Sequence, residues 1–502
     1  MNANLYALFA SRFPEDQTTC CIETGSGALY SWQDVERASG RIANLLHSLN
    51  LPPAARIAVQ VEKSVEALIL YLATIRAGYV YLPLNSAYRL AEIDYFIGNA
   101  QPSVVVCAPD NFGWTSKIAF QRGTTHVFTL GDDLTGSLLS RAATQSDHFE
   151  TVQSAPDDLA AILYTSGTTG RSKGAMLSHA NLSSNALTLQ GAWHWQPGDV
   201  LLHALPLFHV HGLFVASHGA LLNGSKMLFL NRFEAQDVIR LLPRTTVFMG
   251  VPTFYVRLLA EAAFDADACR SVRLFISGSA PLLRDTFDNF QQRTGHVVLE
   301  RYGMSETTML TSNPYHGERR GGTVGLPLKD VRVQIMDEQA RPCEVGEIGA
   351  IEVQGPNIFQ GYWQMPERTA EEFTTDGFFR TGDVGRFDAD GYLSIVGRSK
   401  DLIITGGYNV YPKEIESVLD KMECVQESAV IGVPHADFGE AVTAIVVCKS
   451  GATASEAAII TALKAQIANF KVPKRIHFVD DLPRNTMGKV QKNVLRERFK
   501  VA

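Results

Sequence analysis

Short apolar runs alternate with stretches of helical periodicity, and this alternation limits the possible folds more than any other feature of the sequence. The segment 64–78, for example, has helical periodicity and is closed by a glycine. Strands that are apolar on both faces and are separated by helices are typical of parallel sheets covered on both sides. We therefore predict an α/β fold. The runs interpreted as strands are RIAVQV (56–61), YVYLPL (79–84), SVVVCA (103–108), AAILYT (160–165), TVFMGV (246–251) and VRLFIS (272–277).

The pattern changes twice towards the C-terminus. After residue 322, short alternating strands joined by glycine-rich turns predict a β-rich subdomain. The charged connector GRSKDLIITGG then begins at Gly397, and about 100 residues follow it, enough for one small domain. We predict a large N-terminal domain at 1–397, built of parallel α/β sheets plus the β-rich subdomain. A small, mobile α+β domain at 398–502 would follow it.

Composition excludes several classes of protein. The net charge is -7 and no arm is rich in Lys or Arg, so a nucleic-acid partner is not expected. The seven cysteines show neither a disulfide framework nor a zinc spacing, which fits a reducing cytoplasm. The N-terminus does not resemble a signal peptide, and no apolar run is long enough to span a bilayer. We expect a cytoplasmic protein with small-molecule partners, either a monomer or a weak dimer.

The segment YTSGTTGRSKGAMLSH (164–179) has the composition of a phosphate-binding loop. Its glycines allow backbone N–H groups to approach phosphate oxygens, its hydroxyls add donors, and Lys173 adds charge. It does not align with a Walker loop. For an isolated stretch of this composition, a mobile surface loop is an equally good interpretation.

Further motifs follow in a fixed order: ERYGMSE (300–306), TGDVG (381–385), GRSKDLIITGGYNVYPKEIE (397–416) and PRNTMGKV (483–490). Together with the glycine-rich segment they resemble the signatures of the acyl-adenylate-forming (AMP-binding) superfamily. That superfamily includes acyl-CoA synthetases, luciferases and the adenylation domains of peptide synthetases. The resemblance covers nearly the whole chain. It implies an ATP-dependent acid–thiol ligase that uses ATP and CoA as co-substrates and Mg²⁺ as cofactor.

The resemblance implies roles in ATP binding. Tyr302 would stack on adenine, Asp383 would accept the ribose hydroxyls with help from Arg398, and Glu306 would bind Mg²⁺ together with Thr165. Taken alone, these residues have simpler interpretations: a buried tyrosine, a turn-forming aspartate and a solvated surface glutamate. The remaining ATP contacts implied by the family are Ser166, Gly167, Thr168, Thr169, Gly170, Gly303 and Ser305.

The resemblance also implies that Lys489, with Lys173 and Glu306, catalyses the first step. A carboxylate is already ionised at neutral pH and needs no general base, so the barrier is the approach of two anions. Lys489 would enter the site with the C-terminal domain, which turns about a hinge at Lys400 between the two half-reactions. Without its motif, Lys489 would be an ordinary lysine of a basic tail. Gly406 and Gly407 would face the pantetheine of CoA.

Arg257 bears on which acid is used. It follows VPTFYV, where the family places a helix of the acyl pocket, and a buried guanidinium requires an anion. A second carboxylate on the substrate would satisfy it. The alternatives are a surface arginine paired with Glu261 one turn later, and Arg284 as the anion partner.

The combination of LFHVHG, VPTFYVRLL and ERYGMSETTMLTSNPY resembles malonyl-CoA synthetases. This resemblance implies malonate as the acid, with methylmalonate tolerated and Arg257 on the distal carboxylate. His209 and Ser279 would flank that carboxylate, and Met304 would limit chain length. Alternatives are a short- or medium-chain acyl-CoA synthetase, an enzyme that loads a carrier protein, and a non-catalytic nucleotide sensor. The presence of Lys173, Glu306 and Lys489 argues against the sensor.

Overall fold

Mostly parallel strands form the first sheet of the fold. The computed structural model describes residues 2–165, 172–405, 408–435, 439–452, 454–485 and 488–500. In spatial order the strands of this sheet are His126–Thr129, Val104–Cys107, Arg56–Gln60, Val80–Pro83, Leu159–Thr165 and Lys173–Ser178. Only the last pair is antiparallel. The four strands predicted in this region are confirmed, with ends that differ by one residue.

A second sheet has a parallel centre and antiparallel edges. Its strands, in spatial order, are Leu326–Pro327, Thr308–Ser312, Leu299–Met304, Leu274–Ser277, Val247–Gly250, Val200–His203, Lys226–Phe229, Cys20–Thr24 and Leu29–Ser31. The carboxyl ends of adjacent parallel strands meet at one edge of a sheet, where ligands commonly bind. Ser277, Gly278 and Ser279 lie at such an end, beside the strand that carries Tyr302.

Helices cover both of these sheets, and the last three helices pack on the C-terminal sheet. The helices are Leu5–Ala10, Trp32–Ser48, Val65–Arg76, Leu90–Ala100, Phe112–Gln121, Ser137–Ala142, His179–Ala192, His218–Leu222, Ala235–Leu241, Pro252–Ala260, Ala266–Cys269, Arg284–Thr294, Pro366–Glu372, Pro412–Leu419, Glu456–Lys464 and Lys492–Phe499. The helix Val65–Arg76 begins at the cap Ser64 and is buried along its whole length, which explains its nearly continuous apolar sequence. None of the helices in the described ranges is long and apolar enough to cross a membrane.

The β-rich subdomain is an antiparallel sheet of the strands Arg332–Met336, Gly349–Gln354, Phe379–Phe387 and Leu393–Arg398. The short 3₁₀ turn Ser399–Asp401 follows it directly. A separate sheet then combines Ile403–Thr405, Tyr408–Val410, Val425–His435, Gly439–Cys448 and Arg475–Phe478. This sheet and its helices have their own apolar cores. The predicted α/β class with a β-rich subdomain and a small α+β unit is confirmed.

Candidate active site

Thr165 and Lys173 stand opposite each other where two antiparallel strands meet. The Lys173 ammonium lies 4.0 Å from the centroid of the Tyr362 ring and 3.3 Å from Oε1 of Glu372. A hydroxyl and an ammonium therefore lie at the mouth of one hairpin, as a polyphosphate site requires. The hairpin loop itself is outside the described residues, and with it the predicted contacts Ser166, Gly167, Thr168, Thr169 and Gly170.

Glu306 is buried beside this hairpin. Its side chain is 5% exposed, and its Oε1 accepts a hydrogen bond of 3.0 Å from the hydroxyl of Tyr362. Burial raises the pKa of Glu306, although the Tyr362 hydrogen bond and the Lys173 cation act in the opposite direction. The interpretation as a solvated surface charge is therefore wrong. Because burial opposes ionisation of this carboxylate, a bound cation would stabilise its charged form.

Asp383 lies within the strand Phe379–Phe387, opposite Arg398 on the next strand. The alternative in which it only forms a turn is therefore wrong. Its carboxylate accepts a hydrogen bond from the hydroxyl of Tyr302, and its Oδ1 lies 2.7 Å from Nε of Arg398. Asp383 is 3% exposed. The structure thus brings together the three residues predicted to bind the nucleoside.

Gly303 and Met304 end the strand Leu299–Met304, and Ser305 begins the turn that leads to the strand Thr308–Ser312. A Cβ at Gly303 would stand 1.8 Å from the carbonyl oxygen of Thr308, so only glycine fits. Met304 and Ser305 are half-buried. The turn leads directly into Glu306, and the predicted ATP and acid contacts on this segment therefore lie beside the metal candidate.

Lys489 lies on a C-terminal loop that contacts the large domain. The backbone of Gly488 packs so closely against Thr253 that a Cβ there would lie 3.0 Å from Cγ2 of the threonine. Lys489 is partly open to solvent as a residue, but surrounding protein desolvates its ammonium, whose charge interacts with those of Asp383 and Arg398. A lysine of the small C-terminal unit therefore lies near the predicted nucleoside site of the large one.

The first reaction step is expected to slow about tenfold between about pH 7 and about pH 9. Desolvation by the surrounding protein, followed by repulsion from the cation of Arg398, lowers the pKa of Lys489 to about 8. The ammonium is therefore present below that pH and lost above it. Pyrophosphate exchange measured across this range tests the expectation. Lys489→Arg should flatten the alkaline limb, since a guanidinium does not titrate there; a limb that persists in this variant belongs to another group.

His209 and His211 stand at the start of the π-helical turn His211–Ser217. Nδ1 of His211 lies 3.3 Å from Oγ of Ser279, whose backbone has a φ of 71°. Burial, followed by the nearby cation of Arg301, lowers the pKa of His209 to about 4, and the same causes lower that of His211. The predicted acid-pocket residue Ser279 thus contacts His211, whose backbone N–H donates to Nδ1 of the predicted His209 at 3.2 Å, and both imidazoles are neutral at pH 7.

Arg257 is exposed on the helix Pro252–Ala260. The prediction of a buried guanidinium is wrong, because Tyr255 and Leu258 form the buried face of this helix. Within the described ranges Arg257 forms no ion pair with Glu261, so the surface-pair alternative is not found either.

The position of Arg257 nevertheless relates it to Lys489. Thr253, four residues earlier on the helix, shares its face and contacts Gly488. Arg257 therefore lies on the side of the helix that contacts the Lys489 loop. Its rival Arg284 is exposed and pairs with Asp288 on its own helix, with 2.8 Å between Nε and Oδ2. Binding of the acid by Arg257 stays a prediction.

The predicted hinge residue Lys400 lies in the 3₁₀ turn Ser399–Asp401. Burial lowers the pKa of Lys400, and Asp401 beside it pairs with Arg496, with 2.7 Å between Oδ1 and Nη2. The turn is thus the direct connection between the β-rich subdomain and the last sheet. Gly406 and Gly407 are outside the described residues.

Sequence reasoning missed Tyr362 and His211. Tyr362 contacts both Glu306 and Lys173, yet it is far from both in sequence and no motif surrounds it. His211 lies inside the segment LFHVHG, but the sequence does not show that His211 begins a π-helical turn. Neither position could be deduced from spacing alone.

Comparison with known proteins identifies the family to which the chain belongs. The family described as "AMP-binding enzyme" matches residues 8–363, and "AMP-binding enzyme C-terminal domain" matches residues 414–489. The chain belongs to the AMP-binding enzyme family, and the resemblance inferred from its motifs is confirmed.

Individual relatives match the chain over nearly its whole length. The crystal structure of ATP-bound MatB from Rhodopseudomonas palustris is 56% identical, covers 100% of this chain and 99% of its own, and has a TM-score of 0.97. The apo form of the same protein, with the same identity and coverage, has a TM-score of 0.86. A malonate–CoA ligase of Arabidopsis thaliana is 35% identical over 545 residues, with 99% of this chain and 89% of the relative covered.

Proposed function

We propose that the protein is an AMP-forming malonate–CoA ligase. It converts malonate, ATP and CoA into malonyl-CoA, AMP and diphosphate through a malonyl-adenylate, and it accepts methylmalonate as a second substrate. The observation that carries the proposal is full-length similarity to MatB and to the malonate–CoA ligase of Arabidopsis. The convergence of Thr165, Lys173, Glu306, Asp383 and Lys489 on one cleft supports it.

The first step joins a malonate oxygen to the α-phosphorus of ATP and releases diphosphate. Both reactants are anions, so catalysis consists of charge compensation and in-line positioning. Lys173 neutralises the leaving phosphates, Lys489 neutralises the attacked phosphate, and Asp383 with Arg398 fixes the ribose. In the second step the thiol of CoA attacks the acyl carbon, and AMP leaves.

Mg²⁺ is the metal that these residues fit. The described residues contain no group of three His, Cys, Asp or Glu that could hold a metal unaided. Glu306 and Thr165 supply two hard oxygens, and within the described residues the Thr165 hydroxyl makes one long contact, 3.5 Å to the carbonyl oxygen of Lys173. Mg²⁺ typically takes one or two protein ligands and completes its shell with phosphate and water. When bound, it supplies positive charge to the ATP phosphates.

The C-terminal unit, residues 398–502, turns about Lys400 between the steps. While Gly488 packs on Thr253, the Lys489 loop lies in the cleft by which a thiol would approach. The closer superposition on ATP-bound than on apo MatB supports an arrangement suited to the first step. Rotation withdraws Lys489 and brings Gly406 and Gly407 to the pantetheine of CoA.

Arg257→Ala is expected to lower kcat/KM for malonate about thirtyfold or more, because the distal carboxylate loses a charged partner. Activity with acetate, which has no distal carboxylate, should change little. Steady-state thioester formation with both acids measures the effect. The control is Arg270→Ala, which replaces an exposed arginine directly after the short helix Ala266–Cys269. Undiminished malonate activity would remove Arg257 from the pocket.

The proposed substrate is tested with a panel of malonate, methylmalonate, acetate and butyrate, each with ATP, Mg²⁺ and CoA. Thioester products are identified by mass. We expect malonyl-CoA to dominate, with methylmalonyl-CoA second. Preference for butyrate would favour a short- or medium-chain acyl-CoA synthetase instead, and transfer to a carrier protein without transfer to CoA would favour a carrier-loading enzyme.

A further inference from the structure

Arg301 is a buried cation that has no ion pair among the described residues. Its side chain is 3% exposed, and its Nε and Nη2 are enclosed without any hydrogen bond. Among the described residues it forms no ion pair. Most buried polar groups are hydrogen-bonded, and a buried charge left alone is costly. The arrangement therefore requires an explanation outside the protein itself.

The guanidinium lies at the predicted acid pocket. Its Cζ stands 2.2 Å from where a Cβ of Gly278 would be, so it occupies the space of the side chain that Gly278 lacks. Ser279 follows, and its Oγ lies 3.3 Å from Nδ1 of His211. Nearby buried atoms that also lack a hydrogen bond among the described residues are Nε2 of His211, Oγ of Ser277 and, on the opposite face of the strand, Oε2 of Glu300. Polar atoms without a hydrogen-bond partner thus surround the guanidinium.

Glu300 and Tyr255 attract this cation, but among the described residues neither forms a hydrogen bond or an ion pair with it. Glu300 precedes Arg301 on the strand Leu299–Met304, so their side chains leave opposite faces, and Glu300 accepts a hydrogen bond from the backbone N–H of Leu282 at 3.1 Å. Burial raises the pKa of Glu300 to about 7. Burial also lowers the pKa of Arg301, but only to about 9, so the guanidinium is charged at neutral pH.

We propose that Arg301 is a specificity-determining residue, and that the distal carboxylate of a short dicarboxylic acid neutralises its charge. This inference rests on the proposed function and adds a second cation to the recognition by Arg257. Because Arg301 is enclosed, a second carboxylate beside it neutralises its charge, whereas an apolar acyl chain in the same place leaves that charge unpaired. His211 and Ser279, both neutral, complete the hydrogen bonds of the anion.

The test compares malonate with monomethyl malonate, which keeps the shape of the acid but lacks the distal charge. In Arg301→Met, kcat/KM for malonate should fall about a hundredfold or more, whereas that for the monoester should stay constant or rise. The KM for ATP should not change. Gly278→Ala, which pushes the guanidinium from its position, should reproduce the selectivity change with the arginine still present.

Stability separates this role from a structural one. Arg301→Met should not lower the unfolding temperature of the ligand-free enzyme, because the charge it removes has no partner. Arg273→Met is the matched control, since Arg273 forms an ion pair with Asp199 and its loss should lower that temperature. A fall in the unfolding temperature of Arg301→Met equal to that of the control would overturn the inference.

Activity outcomes are equally distinct. Equal losses with malonate and with the monoester, or unchanged malonate turnover, would overturn the role of Arg301 while leaving the proposed function intact. Absence of malonyl-CoA with the unmodified enzyme would overturn the proposed function and this inference with it.

Discussion

Lys489→Ala is expected to lower the rate of malonyl-adenylate formation about a hundredfold to a thousandfold, while transfer from supplied malonyl-adenylate to CoA continues near the normal rate. The lysine adds charge only where the two anions meet, so its loss affects the step in which they meet. Pyrophosphate exchange measures the first half-reaction, and malonyl-CoA formation from synthetic malonyl-adenylate measures the second.

Lys464→Ala is the matched control. Lys464 is an exposed lysine on the helix Glu456–Lys464 of the same C-terminal unit, and its replacement should leave both half-reactions unchanged. Equal losses of the two half-reactions in Lys489→Ala would contradict the scheme in which the C-terminal unit serves each step in a different orientation.

Glu306→Gln is expected to have the second largest effect, a loss of about a hundredfold or more in adenylate formation together with weaker Mg²⁺ dependence. The amide keeps the shape of the side chain but lacks the charge that holds a divalent ion. Titration of MgATP, followed by the unfolding temperature, should show a smaller stabilisation than in the unmodified enzyme. Tyr362→Phe removes only the hydrogen bond to Glu306 and should retain most of the Mg²⁺ dependence.

The ligand-free stability of Glu306→Gln provides an independent check. Burial raises the folded-state pKa of Glu306, so its contribution to stability is complete at low pH and is lost as the pH rises through that pKa. At pH 8 the variant should be at least as stable as the unmodified enzyme, and this relative advantage should shrink in acid. Thermal unfolding at several pH values measures this difference in stability. If the stability of the variant relative to the unmodified enzyme is lower at pH 8 than in acid, burial does not raise the pKa of Glu306.

The sequence predicted the strands well because each is a short apolar run bounded by glycine or by a helix. It also predicted that Tyr302, Asp383 and Arg398 act together, which the hydrogen bonds among them support. The prediction of a buried Arg257 is wrong, because Tyr255 and Leu258 form the buried face of its helix and Arg257 lies outside that face.

Some features depend on contacts between distant segments and could not be predicted from spacing. Tyr362 contacts both Glu306 and Lys173, but the segment around Tyr362 has no sequence motif of its own. The burial of Arg301 depends on Gly278, which leaves the space that the guanidinium fills. In the sequence, this arginine is only the second residue of ERYGMSE.

The central claim is that cations from two parts of the chain allow a carboxylate to attack the α-phosphorus of ATP. Its most direct test omits CoA: the purified protein is given malonate, ATP and Mg²⁺, quenched with acid, and its small-molecule products are identified by mass. The account predicts malonyl-AMP together with diphosphate. Formation of ADP and phosphate without any AMP-linked acid would contradict it.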